Sequence, residues 1–212
     1  MMRDIKAVFS SRYAGSVDYY AAMLRFGCVG ICGYERYNKR NKHLNRMEIA
    51  GTNGIQTLSV PLSKPNGSMK VSEVGLSEHG NWRHIHWGAL FSAYGRTPFF
   101  DYFADDLKRI YEDRGINTVF ALNMALHYAV IDFLDLPVET VVLDGKIGYD
   151  GLECVDARDS IADFTPLSDY RYYQIWQERY GFQKGMSMLD LLFNEGREAV
   201  FCLLKINDSI MR

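Results

Sequence analysis

The first 34 residues do most to restrict the fold. Residues 4–10 form a short apolar run, Gly15 and Ser16 break it, and residues 28–34 (Cys-Val-Gly-Ile-Cys-Gly-Tyr) form a second run. Between them Val17, Tyr20, Ala21 and Leu24 recur at the i, i+3, i+4, i+7 spacing of a helix with one apolar face. Ser16 is placed to cap that helix and Gly27 to end it. Two buried strands joined by a helix within about thirty residues predict a parallel βαβ unit with a right-handed crossover.

Strand signals continue through the first third. A polar segment from Glu35 to Arg46 precedes two short runs, Met47–Ala50 and Ile55–Val60, separated by Gly51-Thr52-Asn53-Gly54. Asn-Gly between strand-like runs predicts a hairpin. Pro65-Asn66-Gly67 predicts a further turn into a strand at Lys70–Leu76. From residue 80 the period changes to that of helices. Asn81 is expected to cap a helix to Tyr94 with Trp82, Ile85, Ala89 and Ala93 inward and Gly95 as its stop. Thr97-Pro98 should open a second helix, to Asp113, with Phe99, Tyr102, Phe103 and Ile110 as its core stripe. A third helix starts at Asn117 and ends before Pro137, followed by a β-branched strand, Val138–Leu143. Residues 145–168 read as a linker or lid. Helices are expected at Ser168–Tyr180 and from Ser187, where Ser187 and Asp190 match a capping pattern; Gly196 should break the latter before Glu198–Ile206.

The expected fold class is therefore α/β: an N-terminal mixed sheet begun by a βαβ unit (residues 1–77) and a mainly helical C-terminal half (78–212). A chain of 212 residues, 48% hydrophobic and 24% charged, buries a core of its own and is not intrinsically disordered. Arg3, Asp4 and Lys6 leave no apolar signal core at the N-terminus, and no apolar run reaches the length of a membrane span, so a cytoplasmic protein is expected. Cys28, Cys32, Cys154 and Cys202 include no second pair at zinc-ligand spacing; four free thiols and no metal are expected.

Three constellations carry chemistry. Residues 78–87 hold His79, His84, His86, Trp82, Trp87 and Arg83. This pattern fits a helix start that gathers Asn81, Arg83 and imidazoles around an anion, with His86 or His84 as general base. The bland reading is that the Trp rings fill the core and the His side chains bond backbone. The second constellation is Tyr37-Asn38-Lys39-Arg40 through Arg46, with Arg36, Lys42 and His43 in the same segment. It offers phosphate or carboxylate donors, or simply a solvated loop. The third is Arg12-Tyr13-Ala14-Gly15-Ser16, the turn after the first strand, where ligands of open α/β sheets bind. A net charge of −2 and no recognisable nucleic-acid motif argue against a nucleic-acid partner.

The order of several short motifs resembles the WbqC-like protein family. These are Tyr37-Asn38-Lys39, Asn45-Arg46, Leu58-Ser59-Val60-Pro61, Asn81-Trp82-Arg83, His86-Trp87, Tyr94 and Pro98-Phe99-Phe100. Ser187 with Leu189-Asp190-Leu191-Leu192-Phe193-Asn194-Glu195-Gly196 resembles the family's closing motif. The resemblance spans nearly the whole chain, so residues 1–212 read as a single WbqC-like domain. It implies a bacterial protein of cell-surface polysaccharide assembly, especially of O-antigen, without implying a reaction or a cofactor. Where members of the family usually carry a Pro-x-Tyr-Leu-Pro-like turn, this chain has Ser10-Ser11-Arg12-Tyr13-Ala14-Gly15, with Tyr13 kept and both prolines absent.

Two readings stay open. One is an enzyme that transfers a group from an activated anionic small molecule held by Tyr13, Tyr37, Asn38, Lys39, Arg40, Arg46, Asn81 and Arg83. The other is a non-catalytic binding or assembly subunit of the same pathway; under either reading a homo-oligomer stays open. A nucleotidyltransferase-like domain also begins strand–turn–helix–strand, but its His-x-Gly-His turn is missing here.

Overall fold

The computed structural model describes residues 4–145, 154–158 and 170–210. The βαβ unit is formed as expected. Strand β1 (Ala7–Ser10) leads through helix α1 (Val17–Phe26) to β2 (Cys28–Cys32), which pairs parallel to β1 with Ala7 opposite Val29. Ser16 caps α1 by accepting from the Tyr19 N–H, and Gly27, at φ 69°, ends it.

The strands divide into two sheets by direction, which corrects the expectation of one mixed sheet. β1 and β2 join β5 (Glu139–Leu143) and β6 (Val155–Asp156) in an all-parallel sheet of order β5-β2-β1-β6. β3 (Arg46–Gly51) and β4 (Gly54–Ser59) form a separate antiparallel hairpin, closed at Gly51 and Gly54 where the Asn53-Gly54 signal placed it. The hairpin seats its inner face on a helix: Met47, Ile49 and Ala50 are buried, and the Ala50 N–H donates to the Tyr94 hydroxyl.

The strand expected at Lys70–Leu76 is a 3₁₀ turn, Val71–Glu73, flanked by single bridges. Val71 and Val74 are both buried beside Leu44 and Val119, and a spacing of three cannot place them on one face of a strand.

The helical half is α2 (Trp82–Tyr94), α3 (Phe100–Glu112), α4 (Val119–Leu134), the single turn α5 (Gln177–Tyr180), α6 (Met188–Glu195) and α7 (Ala199–Ile210). Three local expectations change. Asn81 is left-handed at φ 46° and caps nothing. In α2 the buried face is Trp82, Arg83, His86, Leu90, Ala93 and Tyr94, while Ile85 is 56% exposed. In α3 it is Phe100, Phe103, Leu107 and Tyr111; Tyr102 is 78% exposed and the Thr97 hydroxyl donates back to the Tyr94 carbonyl. Among the described residues no helix is long and apolar enough to cross a membrane.

The segment before α5 is extended rather than helical, with Tyr172 and Gln174 buried and Arg171 and Tyr173 exposed. Its residues are gripped by the closing motif on α6. Asp190 accepts from the Tyr172 hydroxyl (2.6 Å) and the Gln174 amide (2.8 Å), Asn194 from the Ile175 N–H, and Glu195 from the Tyr173 N–H. The Asp190 carboxylate is thus turned away from the cap, and Ser187 caps α6 alone, at the Leu189 N–H. Of the expected lid or linker at 145–168, Val155–Asp156 is the edge strand β6; residues 146–153 and 159–168 lie outside the described residues.

Gly196 separates α6 from α7 at φ 59°, and a Cβ there would stand 2.6 Å from the Phe99 ring. Gly196→Ala should therefore cost about 1–3 kcal/mol in urea unfolding. An unchanged midpoint would show that Phe99 does not close on this turn.

Candidate functional site

Strand order changes side at β1: β2 and β5 lie to one side of it and β6 to the other. Ligands of open α/β sheets bind beyond the carboxyl ends of the strands at such a switch. The chain leaves β1 there into the turn 12–16. The Tyr19 hydroxyl donates to the Ser10 carbonyl (2.9 Å), and a Cβ on Gly15 would lie 2.5 Å from the Tyr19 ring, so this turn is packed tightly against its own helix.

Other segments close on the same turn. The Tyr13 N–H donates to the His43 carbonyl. The Ser187 hydroxyl donates to the Ala14 carbonyl (2.8 Å), the Met188 N–H to the Gly15 carbonyl, and the Ser187 N–H to the Glu48 carbonyl. Turn, basic loop, β3 and the start of α6 thereby enclose a cleft of about 270 Å³, lined by Arg12, Lys42, His43, Arg46, Glu48 and Tyr13 among others.

The electrostatics of the cleft are cationic. Arg12, Lys42 and Arg46 face a single carboxylate, Glu48, among its lining residues. The Arg12 guanidinium lies 5.2 Å from the centre of the Tyr19 ring, and its buried Nε has no hydrogen-bond partner among the described residues. Burial lowers the Arg12 pKa, with Tyr19 and Asp18 opposing, yet guanidinium stays charged at neutral pH. Burial, then the charge of Arg12, lowers the His43 pKa, so this imidazole is a neutral base at neutral pH. Two of the first N–H groups of α1 are engaged within the protein. Its Val17 N–H is taken by the Met186 carbonyl and its Tyr19 N–H by Ser16.

Tyr13 leads from the cleft into the core. Its hydroxyl lies 2.7 Å from His86 Nδ1 and 2.8 Å from the Tyr111 hydroxyl. The His86 ring also bonds the Ser59 backbone, which raises its pKa slightly against the larger lowering by burial, to about 4. In the tautomer with its proton on Nε2, His86 accepts at Nδ1 from Tyr13, which in turn accepts from Tyr111. His86 is 3% exposed and can act on a cleft ligand only through Tyr13.

A second cavity, of about 400 Å³, lies between the start of α2 and the end of α3 and is lined by Asn81, Arg83, His84, Trp87, Tyr111 and Arg114 among others. Its cations are engaged. Arg83 is 4% exposed and donates to the carbonyls of Tyr111, Asp113 and Ile116 and to Glu78; Arg114 pairs with Glu78, and Lys108 with Glu112.

The expected site residues are therefore distributed. Tyr13 and Arg46 line the first cleft, and Asn81, Arg83 and His84 the second. Arg46, Arg83 and His86 do not share either cavity. Tyr37 is half-buried against the Leu44 and Val71 cluster, while Asn38, Lys39 and Arg40 are exposed and line neither. The expected set omits Arg12, Lys42, His43 and Glu48. Arg12 stood in the first turn and Lys42 and His43 in the basic run; Glu48 shares a strand face with Arg46 at i, i+2. Among the described residues no three or more His, Cys, Asp or Glu side chains are grouped to hold a metal ion.

Comparison with known proteins places these features in a family. The chain is similar to the uncharacterized protein Rv1507c of Mycobacterium tuberculosis (strain ATCC 25618 / H37Rv), with 28% identity over 191 residues, covering 77% of this chain and 82% of that protein. No solved structure matches. The model of the WbqC-like protein family matches residues 11–154, which include the turn, the basic loop, the hairpin and α2 through β5. A match over that span, carrying most of the cleft, shows that this chain belongs to the WbqC-like protein family.

Proposed function

We propose that this protein binds an activated anionic small molecule in the first-turn cleft and transfers a group from it, as a cytoplasmic step of cell-surface polysaccharide assembly of the O-antigen type. The observation that carries this reading is the gathering of Arg12, Lys42, Arg46 and His43 in one cleft at the carboxyl end of β1. The cations hold the donor by charge-assisted hydrogen bonds. His43 is the imidazole facing that space, and as a neutral base it accepts the acceptor's proton. Tyr13, fixed by Tyr111 and His86, sets the cleft wall. The pathway is what family membership suggests; the chemistry is what the cleft suggests.

A thermal-shift screen of nucleotide sugars, sugar phosphates and acyl carriers tests the reading. A ligand at 100 times its Kd adds about 2.7 kcal/mol, a shift of roughly 5–10 °C for a chain of this size. The shift should be lost in Arg46→Ala, and the ligand should turn over slowly or not at all in His43→Ala. A screen in which no anionic ligand shifts the wild type would sink the proposal.

The non-catalytic reading has its own support. Ile85 and Phe91, 56% and 61% exposed, lie on the outer side of α2, and Tyr102 on α3 is 78% exposed. Such a surface suits an assembly subunit or a homo-oligomer. Ligand binding without turnover, together with a concentration-dependent mass in solution, would favour it.

A further inference from the structure

We propose that the group recognised in the first-turn cleft is a phosphate, as a monoester dianion or the end of a diphosphate, borne by a small body that carries a hydroxyl or an amine. This inference rests on the anion-binding reading above and narrows its ligand class.

Charge balance comes first. Arg12, Lys42 and Arg46 supply three positive charges to the lining and Glu48 supplies one negative charge, while Asp18 beside Arg12 is itself offset by Lys184. The surplus of two matches a phosphate dianion, whereas a monocarboxylate would leave one cation uncompensated. Donor geometry agrees. The Arg12 Nε–H is buried and has no acceptor among the described residues, and buried donors nearly always find one. The Arg12, Lys42 and Arg46 side chains together offer more donors than the two oxygens of a carboxylate use, and phosphate has a third terminal oxygen.

Glu48 orients the rest of the ligand. It follows Arg46 by two residues on β3, so both side chains leave the same face of the hairpin, and both line the cleft. A carboxylate repels a second anionic end and accepts from a hydroxyl or an ammonium group. The ligand body over Glu48 is therefore neutral or cationic, with its phosphate toward Arg12. Size limits it further. A space of about 270 Å³ lies just below the usual range for whole ligand sites of roughly 300–1,000 Å³. It suits a phosphate on a body of hexose size, and leaves the remainder of any nucleotide outside the enclosed part.

Titration calorimetry on the full chain tests this with inorganic phosphate, pyrophosphate, a hexose phosphate and malonate at matched ionic strength. The phosphate compounds should bind at least about tenfold more tightly than malonate, and Arg12→Gln and Arg46→Gln should each weaken them by about tenfold or more. Glu48→Gln should weaken the hexose phosphate relative to inorganic phosphate. Malonate binding as well as phosphate would overturn the phosphate assignment and leave the anion cleft standing. Failure of every anion to bind the folded wild type would overturn both. A folded Arg12→Gln protein that binds phosphate like wild type would also overturn the assignment; should that variant not fold, the exposed Arg46→Gln decides it in the same way.

Discussion

Lowering the pH from about 7 to about 4 should remove several kcal/mol of stability, most of it through His86 and His127. Both imidazoles are nearly fully buried, at 3% and 4% exposure, and burial lowers both pKa values from 6.5 to about 4. His127 donates or accepts at Thr140 (2.9 Å), stacks on Tyr20, and has a buried Nδ1 with no partner among the described residues, so a proton there finds no acceptor among them. Between pH 4 and 6.5 the unfolded chain holds more protons on these groups than the folded one. Stability is then complete above the unfolded value and falls as the pH drops toward the folded one. Each histidine contributes about 3 kcal/mol to that loss, a large share of a typical total of about 5–15 kcal/mol. Asp18 and Asp190, whose pKa values burial raises, pull the other way near the acid end of the range. Urea unfolding across this range checks it, and His127→Gln should remove about half of the acid sensitivity. A midpoint that does not move with pH would mean that neither ring is held neutral.

Arg83→Ala should be the most damaging change to a residue that looks like part of a site. Its guanidinium fills carbonyls of Tyr111, Asp113 and Ile116, pairs with Glu78, and lies 4.8 Å from the centre of the Trp82 ring. Truncation strands those acceptors and leaves a void, for an expected loss of about 3–5 kcal/mol and roughly 6–20 °C in melting temperature. Arg83→Lys should recover only part of it, because an ammonium cannot reproduce the planar fork. Arg46→Ala, at an exposed position, should change stability by no more than about 0.5 kcal/mol while abolishing ligand binding. Equal stability of the Arg83→Ala and Arg46→Ala proteins would remove the clamp from this account.

What could be read from the sequence divides along physical lines. The βαβ unit was legible because periodicity, the Ser16 cap and the Gly27 stop agree, and the hairpin because Asn53-Gly54 is a local signal. The phases of α2 and α3 were not. Arg83 and His86 are polar side chains on a buried face, satisfied by carbonyls and by Tyr13, while Tyr102 is a large aromatic left outside. Hydropathy alone ranks those positions the other way round. For the cleft, the first turn and the basic segment were each visible, yet Lys39 and Arg40 look the same in sequence as Lys42 and Arg46. What separates them is that the Tyr13 N–H binds the His43 carbonyl and draws the later part of the loop onto the turn. A similar limit applies to Asp190, which reads as a capping residue until the extended segment at 172–174 arrives as its partner.

The Ser187 to Ala14 hydrogen bond joins positions 173 apart and, with the Met186 and Met188 backbone bonds, supplies the cleft's far wall. Loop closure over such a distance is entropically costly and comes late in folding. On the ribosome, the sheet, the hairpin and the basic loop emerge long before the start of α6 does. A nascent chain therefore carries its cations on an unfinished surface until α6 has followed. Ligand binding by chains arrested at increasing lengths should stay absent through residue 180 and switch on once α6 has cleared the exit tunnel, so that site assembly reports translation through α6.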